Sequence, residues 1–157
     1  MAIELIIFAK IAITMRLYKI ALGGDHAGFS VKREIIPYLQ NAGYTVKDFG
    51  PYTDQSVDYP DFVHPLATAV ENGEFDLGLV FCGSGNGVNI TANKHKGIRS
   101  ALSWIPEIAA LARQHNNANV CAIPARYVTI EEAKKIVDSF LNAQFEGGRH
   151  ADRVAKI

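Results

Sequence analysis

Five short apolar runs alternate along this chain with stretches of helical spacing, and that alternation limits the folds open to it more than any other feature. The runs cover residues 18–23, 44–49, 77–81, 98–102 and 120–123. Between and after them, apolar residues recur three and four apart, as at Val31, Ile35 and Leu39, at Val63, Leu66 and Val70, and at Ile136, Val137 and Phe140. That period belongs to helices packing one face on a core. Asn41-Ala42-Gly43 and Asn72-Gly73 supply helix stops, Pro106 suits a first helical turn, and Thr129 with Glu132 makes a capping box. Strands alternating with helices close as a parallel sheet with helices on both faces. The expected architecture is a Rossmann-like three-layer α/β/α domain over residues 15–157, its five-stranded parallel sheet in the order 2-1-3-4-5.

In such sheets a ligand sits at the carboxyl ends of the strands where the winding reverses. With strands 1 and 3 as neighbours, the polar turns Gly24-Asp25-His26 and Cys82-Gly83-Ser84 face each other. The second turn continues as Gly85-Asn86-Gly87, and its glycines let successive N–H groups point into one hollow that holds an anionic oxygen. Cys82 at the mouth of that hollow is the candidate nucleophile or base, with N–H-rich backbone and a helix start beyond it that favour a thiolate. The alternative for Cys82 is an inert packing thiol at a strand end. Ser84 is placed to donate to the sulfur. The spacing lacks the Gly-Lys-Ser/Thr of a phosphate loop and the acidic residue of a dinucleotide fingerprint, so an oxyanion pocket fits better than a nucleotide site.

Asp25 suits a helix cap, whereas His26 beside it is harder to assign to packing. His115 closes an Asn-rich helix end, where a cationic ring stabilising the helix terminus is the plain alternative. His64, His95 and His150 read as surface residues. Arg149 and Arg153 stand four apart in the last segment, where a helix stacks them on one face and like charges repel unless an anion lies between them. So short a tail docks against its own domain or a partner subunit.

Sixteen basic and sixteen acidic residues cancel, which argues against an electrostatic nucleic-acid binder. Two cysteines make no disulfide framework, and the absence of close Cys/His spacings speaks against a structural zinc. A reducing cytoplasm is the expected compartment. Residues 1–14 are apolar but interrupted by Glu4 and Lys10, too short for a bilayer span and without a signal-peptide pattern. They read as an N-terminal extension, with Met15 as the expected start.

From about Arg16 to the C-terminus the motifs Gly24-Asp25-His26-Ala27-Gly28, Asp58-Tyr59-Pro60, Cys82-Gly83-Ser84-Gly85-Asn86-Gly87, Arg113-Gln114-His115-Asn116 and Glu146-Gly147-Gly148-Arg149-His150 follow in order. Together they closely resemble the type B ribose-5-phosphate isomerases, within the group that includes galactose-6-phosphate isomerase. The resemblance implies a homodimeric or tetrameric aldose–ketose isomerase that needs no metal or cofactor and works through an enediol. It implies Cys82 as the base between C1 and C2, and the backbone of Gly83, Gly85 and Gly87 with Asn86 and Ser84 as the enediolate pocket. His115 is implied for ring opening, with Asp25 near the ring oxygen and hydroxyls, and Asn116 and Tyr59 in the pocket. Arg149, Arg153 and His26 are the implied phosphate contacts. The family's sites lie between subunits, so His115 and the arginines serve a neighbour's Cys82. Family members with a glutamate base carry it after the glycine turn; Asn86-Gly87-Val88 stands there, which indicates the cysteine subtype. Ser84 replaces the threonine common in that subtype and keeps the hydroxyl. The alternatives are isomerisation of a hexose 6-phosphate such as galactose or allose, and a non-catalytic phosphosugar-binding module.

Overall fold

The structure is a computed structural model that describes residues 17–157. The extension at 1–14 and the start at Met15 lie outside the described residues. Strands β1 (Lys19–Gly24), β2 (Thr45–Asp48), β3 (Leu77–Cys82), β4 (Ser100–Leu102) and β5 (Val120–Pro124) alternate with α1 (Phe29–Asn41), α2 (Tyr59–Glu71), α3 (Asn86–Ala92), α4 (Pro106–Asn116), α5 (Ile130–Asn142) and a tail helix α6 (Arg149–Val154). The capping box forms as expected: Thr129 Oγ1 accepts from the Glu132 amide at 3.1 Å, and Glu132 Oε2 accepts from the Thr129 amide at 2.7 Å.

The strands form one parallel sheet in the order β2-β1-β3-β5-β4. The parallel α/β class is as expected, but the last two strands are exchanged relative to 2-1-3-4-5. Burial explains the exchange. All five residues of β5 are buried, whereas β4 is three residues long and only half buried. A wholly buried strand needs neighbours on both sides, and a short half-exposed strand belongs at an edge, where it offers little unpaired backbone. Pro124 ends β5 opposite Cys82, placing the loop after β5 beside the glycine turn.

Alternate residues of the inner strands feed two cores. Leu22, Leu79, Phe81 and Ile123 pack with Ile35, Leu39, Ala109, Ile136 and Phe140 of α1, α4 and α5. Ala21, Val80 and Ala122 pack on the other face with Val63, Leu66, Val70, Val88 and Ala92 of α2 and α3. No helix among the described residues is long and apolar enough to cross a membrane.

Ile123 is fully buried in the first core, so Ile123→Ala is expected to lose about 2–5 kcal/mol of stability from lost transfer energy and the cavity left behind. Thr129→Ala, which removes only a cap, is expected to lose about 1 kcal/mol. Urea unfolding of the two variants checks the ranking, and a larger loss at Thr129 would contradict it.

Candidate active site

The turn after β1 comes to the end of β3 closer than any side chain would allow. The Asp25 amide donates to the Phe81 carbonyl at 3.1 Å. A Cβ on Gly24 or Gly28 would stand 1.9 or 2.3 Å from that carbonyl oxygen, so both positions require glycine. Asp25 and His26 are thereby carried to the edge of Cys82. Asp25 Oδ1 accepts from the amides of Ala27 at 2.9 Å and Gly28 at 3.2 Å. Its carboxylate therefore closes a local turn. Helix α1 begins later, with Gly28 as its N-cap and no side-chain cap, which corrects the reading of Asp25 as the helix cap.

His26 Nδ1 accepts the Val57 amide at 3.2 Å. A ring nitrogen that accepts there is unprotonated, so the neutral ring carries its proton on Nε2 as a donor for a ligand. The loop that delivers Val57 is pinned at its start. Lys32 is 1% exposed and its ammonium bonds Asp48 at 2.5 Å and the Pro51 carbonyl at 2.7 Å. Burial lowers the Lys32 pKa while the Asp48 carboxylate opposes that shift. At the loop's far end Tyr59 begins α2 and lays its ring on Gly87, where an added Cβ would meet the ring at 2.6 Å.

Cys82 is 5% exposed and ends β3. Its sulfur accepts the Gly85 amide at 3.2 Å, a contact that stabilises negative charge on sulfur. Gly85 has φ +75°, left-handed backbone that only glycine adopts freely, and this turns its N–H back onto the thiol. The Ser84 hydroxyl accepts the Asn86 amide at 3.3 Å, and the donor on the sulfur is the Gly85 amide. Asp25, His26, Tyr59, Cys82, Gly83, Ser84 and Gly87 line one open cavity of about 350 Å³, together with Ala27, Arg126 and Tyr127. Asn86 lines a neighbouring depression that shares Ser84 and Tyr127.

Arg126 and Tyr127 escaped the reading of the sequence. Arg126 follows β5, donates its amide to the Gly83 carbonyl at 3.1 Å and lays its side chain over Gly83. With β5 placed beside β3 the loop after it falls on the site; the expected order 2-1-3-4-5 put it one strand too far away.

The remaining predicted residues stand elsewhere. Helix α4 runs from the carboxyl edge of the sheet back to the amino edge, where the Asn119 carbonyl accepts from Gly78 at the start of β3. Its C-terminal residues His115 and Asn116 thus lie at the edge away from Cys82, roughly 13 Å along the strand direction at about 3.3 Å per residue from Gly78. The tail joins them there. The Glu146 amide donates to the Gln114 carbonyl at 3.0 Å, and the His150 ring stacks on His115 at 4.2 Å and 8°. Arg149 and Arg153 are exposed on α6. His150 is 7% exposed, which corrects its reading as a surface residue; burial and the positive charges of His115, Arg149 and Arg153 hold its pKa below the usual imidazole range, against Glu146. His64 and His95 bond each other at 2.8 Å between α2 and the turn after α3. The residues singled out from the sequence therefore fall into two groups at opposite edges of the sheet.

Residues 20–157 match the sequence model of the Ribose/Galactose Isomerase family. The chain belongs to the ribose/galactose isomerase family. It is thus an enzyme, a sugar-phosphate isomerase by kinship. It is 48% identical over 139 residues to ribose-5-phosphate isomerase B of Escherichia coli (strain K12), covering 88% of this chain and 93% of that one. A solved structure of ribose-5-phosphate isomerase B from Mycoplasma genitalium with bound ribulose-5-phosphate superposes with a TM-score of 0.84 at 47% identity, covering 88% of this chain and 92% of that one. D-erythrulose-4-phosphate isomerase of Pectobacterium atrosepticum is 42% identical over 142 residues, covering 90% of this chain and 93% of that one.

The isomerase fold treats its two thiols differently. Cys121 is wholly buried and its pKa is pushed up to about 12 by that burial, while Cys82 opens on the cavity. Iodoacetamide on the native protein is expected to alkylate Cys82 and spare Cys121, with both modified in denaturant. Peptide mass spectrometry reads the outcome, and a native Cys82 that resists the reagent would show a thiol closed off from the cavity.

Proposed function

We propose that this isomerase interconverts ribose 5-phosphate and ribulose 5-phosphate through an enediol, with Cys82 as the base. The observation that carries the reading is the Gly85 amide on the Cys82 sulfur, at the wall of a cavity that also holds Asp25, His26 and Arg126. The bound ribulose-5-phosphate in the Mycoplasma genitalium relative supports the choice of substrate.

His115 of the partner subunit assists ring opening, moving the proton of the anomeric hydroxyl while the ring oxygen gains one near Asp25. In the open aldose the Cys82 thiolate takes the proton from C2. The electron pair left there forms the C1–C2 double bond, and the aldehyde oxygen gains negative charge. Amides of the turn from Gly83 to Gly87, with Ser84, stabilise that oxygen. The Cys82 thiol then returns its proton to C1 while the C2 hydroxyl passes its own proton to the negatively charged oxygen on C1 and becomes the ketone. The His26 Nε2–H, Arg126 and the paired Arg149 and Arg153 of the partner subunit hold the phosphate, whose oxygens match guanidinium forks. Tyr59 and Asn116 of the partner subunit close the pocket around the sugar. The placement of His115 at the sheet edge remote from its own Cys82 supports supply from a second copy. A two-fold pair completes two such sites at once.

A second reading keeps the mechanism and changes the chain length of the sugar. The kinship with a tetrulose-4-phosphate isomerase favours it, and the cavity borders open depressions on both sides. The ratios of kcat/KM among four-, five- and six-carbon aldose phosphates decide between the two.

Removing a positioned acid–base group is expected to cost about 100-fold or more in kcat for Cys82→Ala; retained turnover would remove the thiol from the mechanism. Mixing Cys82→Ala with His115→Ala chains tests the shared site. In a two-fold dimer, random reassortment leaves one intact site in half of the pairs, so about a quarter of wild-type activity is expected to return. No recovery after verified exchange of subunits would place both groups in one chain's site.

A further inference from the structure

Two of the contacts that hold His26 lead back to one segment of chain. Its ring nitrogen Nδ1 accepts the Val57 amide at 3.2 Å, and two residues ahead of it the Gly24 amide donates to the Gly50 carbonyl at 3.1 Å. The backbone before the imidazole and the ring itself are therefore both set by residues 50–57, the connection that leaves β2. Residues 52–56 of that connection face solvent, and a stretch so little packed has few contacts of its own to hold a shape.

A buried cation anchors its start. Lys32 lies in the first turns of α1, just past the Gly24–Gly28 turn, and is sealed from solvent. Its ammonium donates to Asp48 Oδ1 at 2.5 Å and to the Pro51 carbonyl at 2.7 Å, bridging the end of β2 to the turn that follows it. The same Asp48 oxygen accepts the Gly50 amide at 2.8 Å. Gly50 has φ +96°, and a Cβ there would stand 2.7 Å from the Phe62 ring, so its carbonyl is aimed at Gly24 by backbone that glycine adopts freely. The rings of Phe29 and Tyr52 flank the ammonium with their centroids 5.9 and 5.8 Å away, and the Tyr52 hydroxyl donates to the Asp48 carbonyl at 3.0 Å.

We infer that Lys32 is a positioning residue for His26: its ammonium fixes the turn 48–51, and that turn fixes both where the imidazole stands and which ring nitrogen keeps the proton. A buried ion pair gives little net stability over a well-packed apolar residue, because desolvation offsets the attraction. What the ammonium supplies is direction, since it holds two acceptors at one point and an aliphatic side chain of the same length holds neither. With the turn in place the Val57 amide meets Nδ1, and Nε2–H is left to donate into the cavity. Without it the neutral ring divides between its two tautomers, and some molecules turn a lone pair toward a phosphate oxygen. The consequence for substrate rests on the phosphate role proposed for His26. The setting of the tautomer stands on the geometry alone.

Lys32→Met removes the donors and leaves the Asp48 carboxylate without its cation. Lys32→Met/Asp48→Asn removes both charges and keeps an oxygen for the Gly50 amide. Circular dichroism of the full-length proteins checks that each folds. Long-range proton–nitrogen spectra of the histidines, recorded at about pH 8, above the ordinary imidazole range, read the tautomer directly. The His26 signals are identified by their loss in His26→Gln. The wild type is expected to show Nδ1 bare and Nε2 protonated, and a folded variant a mixture of the two forms, with His64 and His95 as before. KM for ribose 5-phosphate is expected to rise by about 10-fold or more in that variant, the loss of one hydrogen bond to a charged group, with kcat held within about 3-fold. Wild-type His26 signals in a folded double variant overturn the inference, as does a wild-type ring with its proton on Nδ1. Failure of both variants to fold overturns it too, by assigning Lys32 to the stability of the whole domain. The spectra need no turnover, so a mixed ring with KM unmoved would support the positioning of His26 and sink the phosphate role proposed for it instead.

Discussion

The contact on which the rest of the site depends is the meeting of the β1–α1 turn with the Phe81 carbonyl. One hydrogen bond, from the Asp25 amide, and two positions without room for a Cβ bring the first strand's loop onto the end of the third. Each catalytic candidate on the near side is placed by backbone reached from there. The Asp25 carboxylate is occupied at one oxygen by its own turn, His26 is fixed by a peptide amide, and the Cys82 sulfur faces the amide of a left-handed glycine. These are fixed dipoles, already oriented before any ligand arrives, and preorganised dipoles are the large contribution in reactions that develop charge on oxygen.

Much of this was legible in the sequence because the physics involved is local. Alternating strand and helix periods gave away the parallel sheet, Thr129 and Glu132 announced their capping box, and the glycines of the turn marked where N–H groups converge. What escaped depended on distant pairing. Arg99 and Ser100 interrupt the run 98–102 while 120–123 is apolar throughout, a hint of which strand lies inside that the expected order left unused; the burial of the whole β5 run shows it. That single exchange hid Arg126 and Tyr127, which reach the cavity because their strand pairs with β3. The burial of His150 escaped for a related reason, since it rests on the Gly147-Gly148 reversal and on a stack across two helices.

The parallel topology also explains why the functional motifs are spread over so much of the chain. Helices return each connection to the amino edge, so residues at helix ends and residues at strand ends collect at different edges of the sheet. His115 belongs to the first group and Cys82 to the second. On the proposed reading, a reaction that needs both groups turns a constraint of single-chain geometry into a requirement for a second copy, and residues that look dispersed within one subunit become neighbours across a two-fold axis.

The bond from the Val57 amide to His26 has a bearing on how such a protein drifts through evolution. Because a main-chain N–H supplies it, the bond does not depend on which side chain stands at 57, and only proline, which lacks the hydrogen, would abolish it. A change of side chain in that loop therefore leaves in place the device that sets the ring's proton.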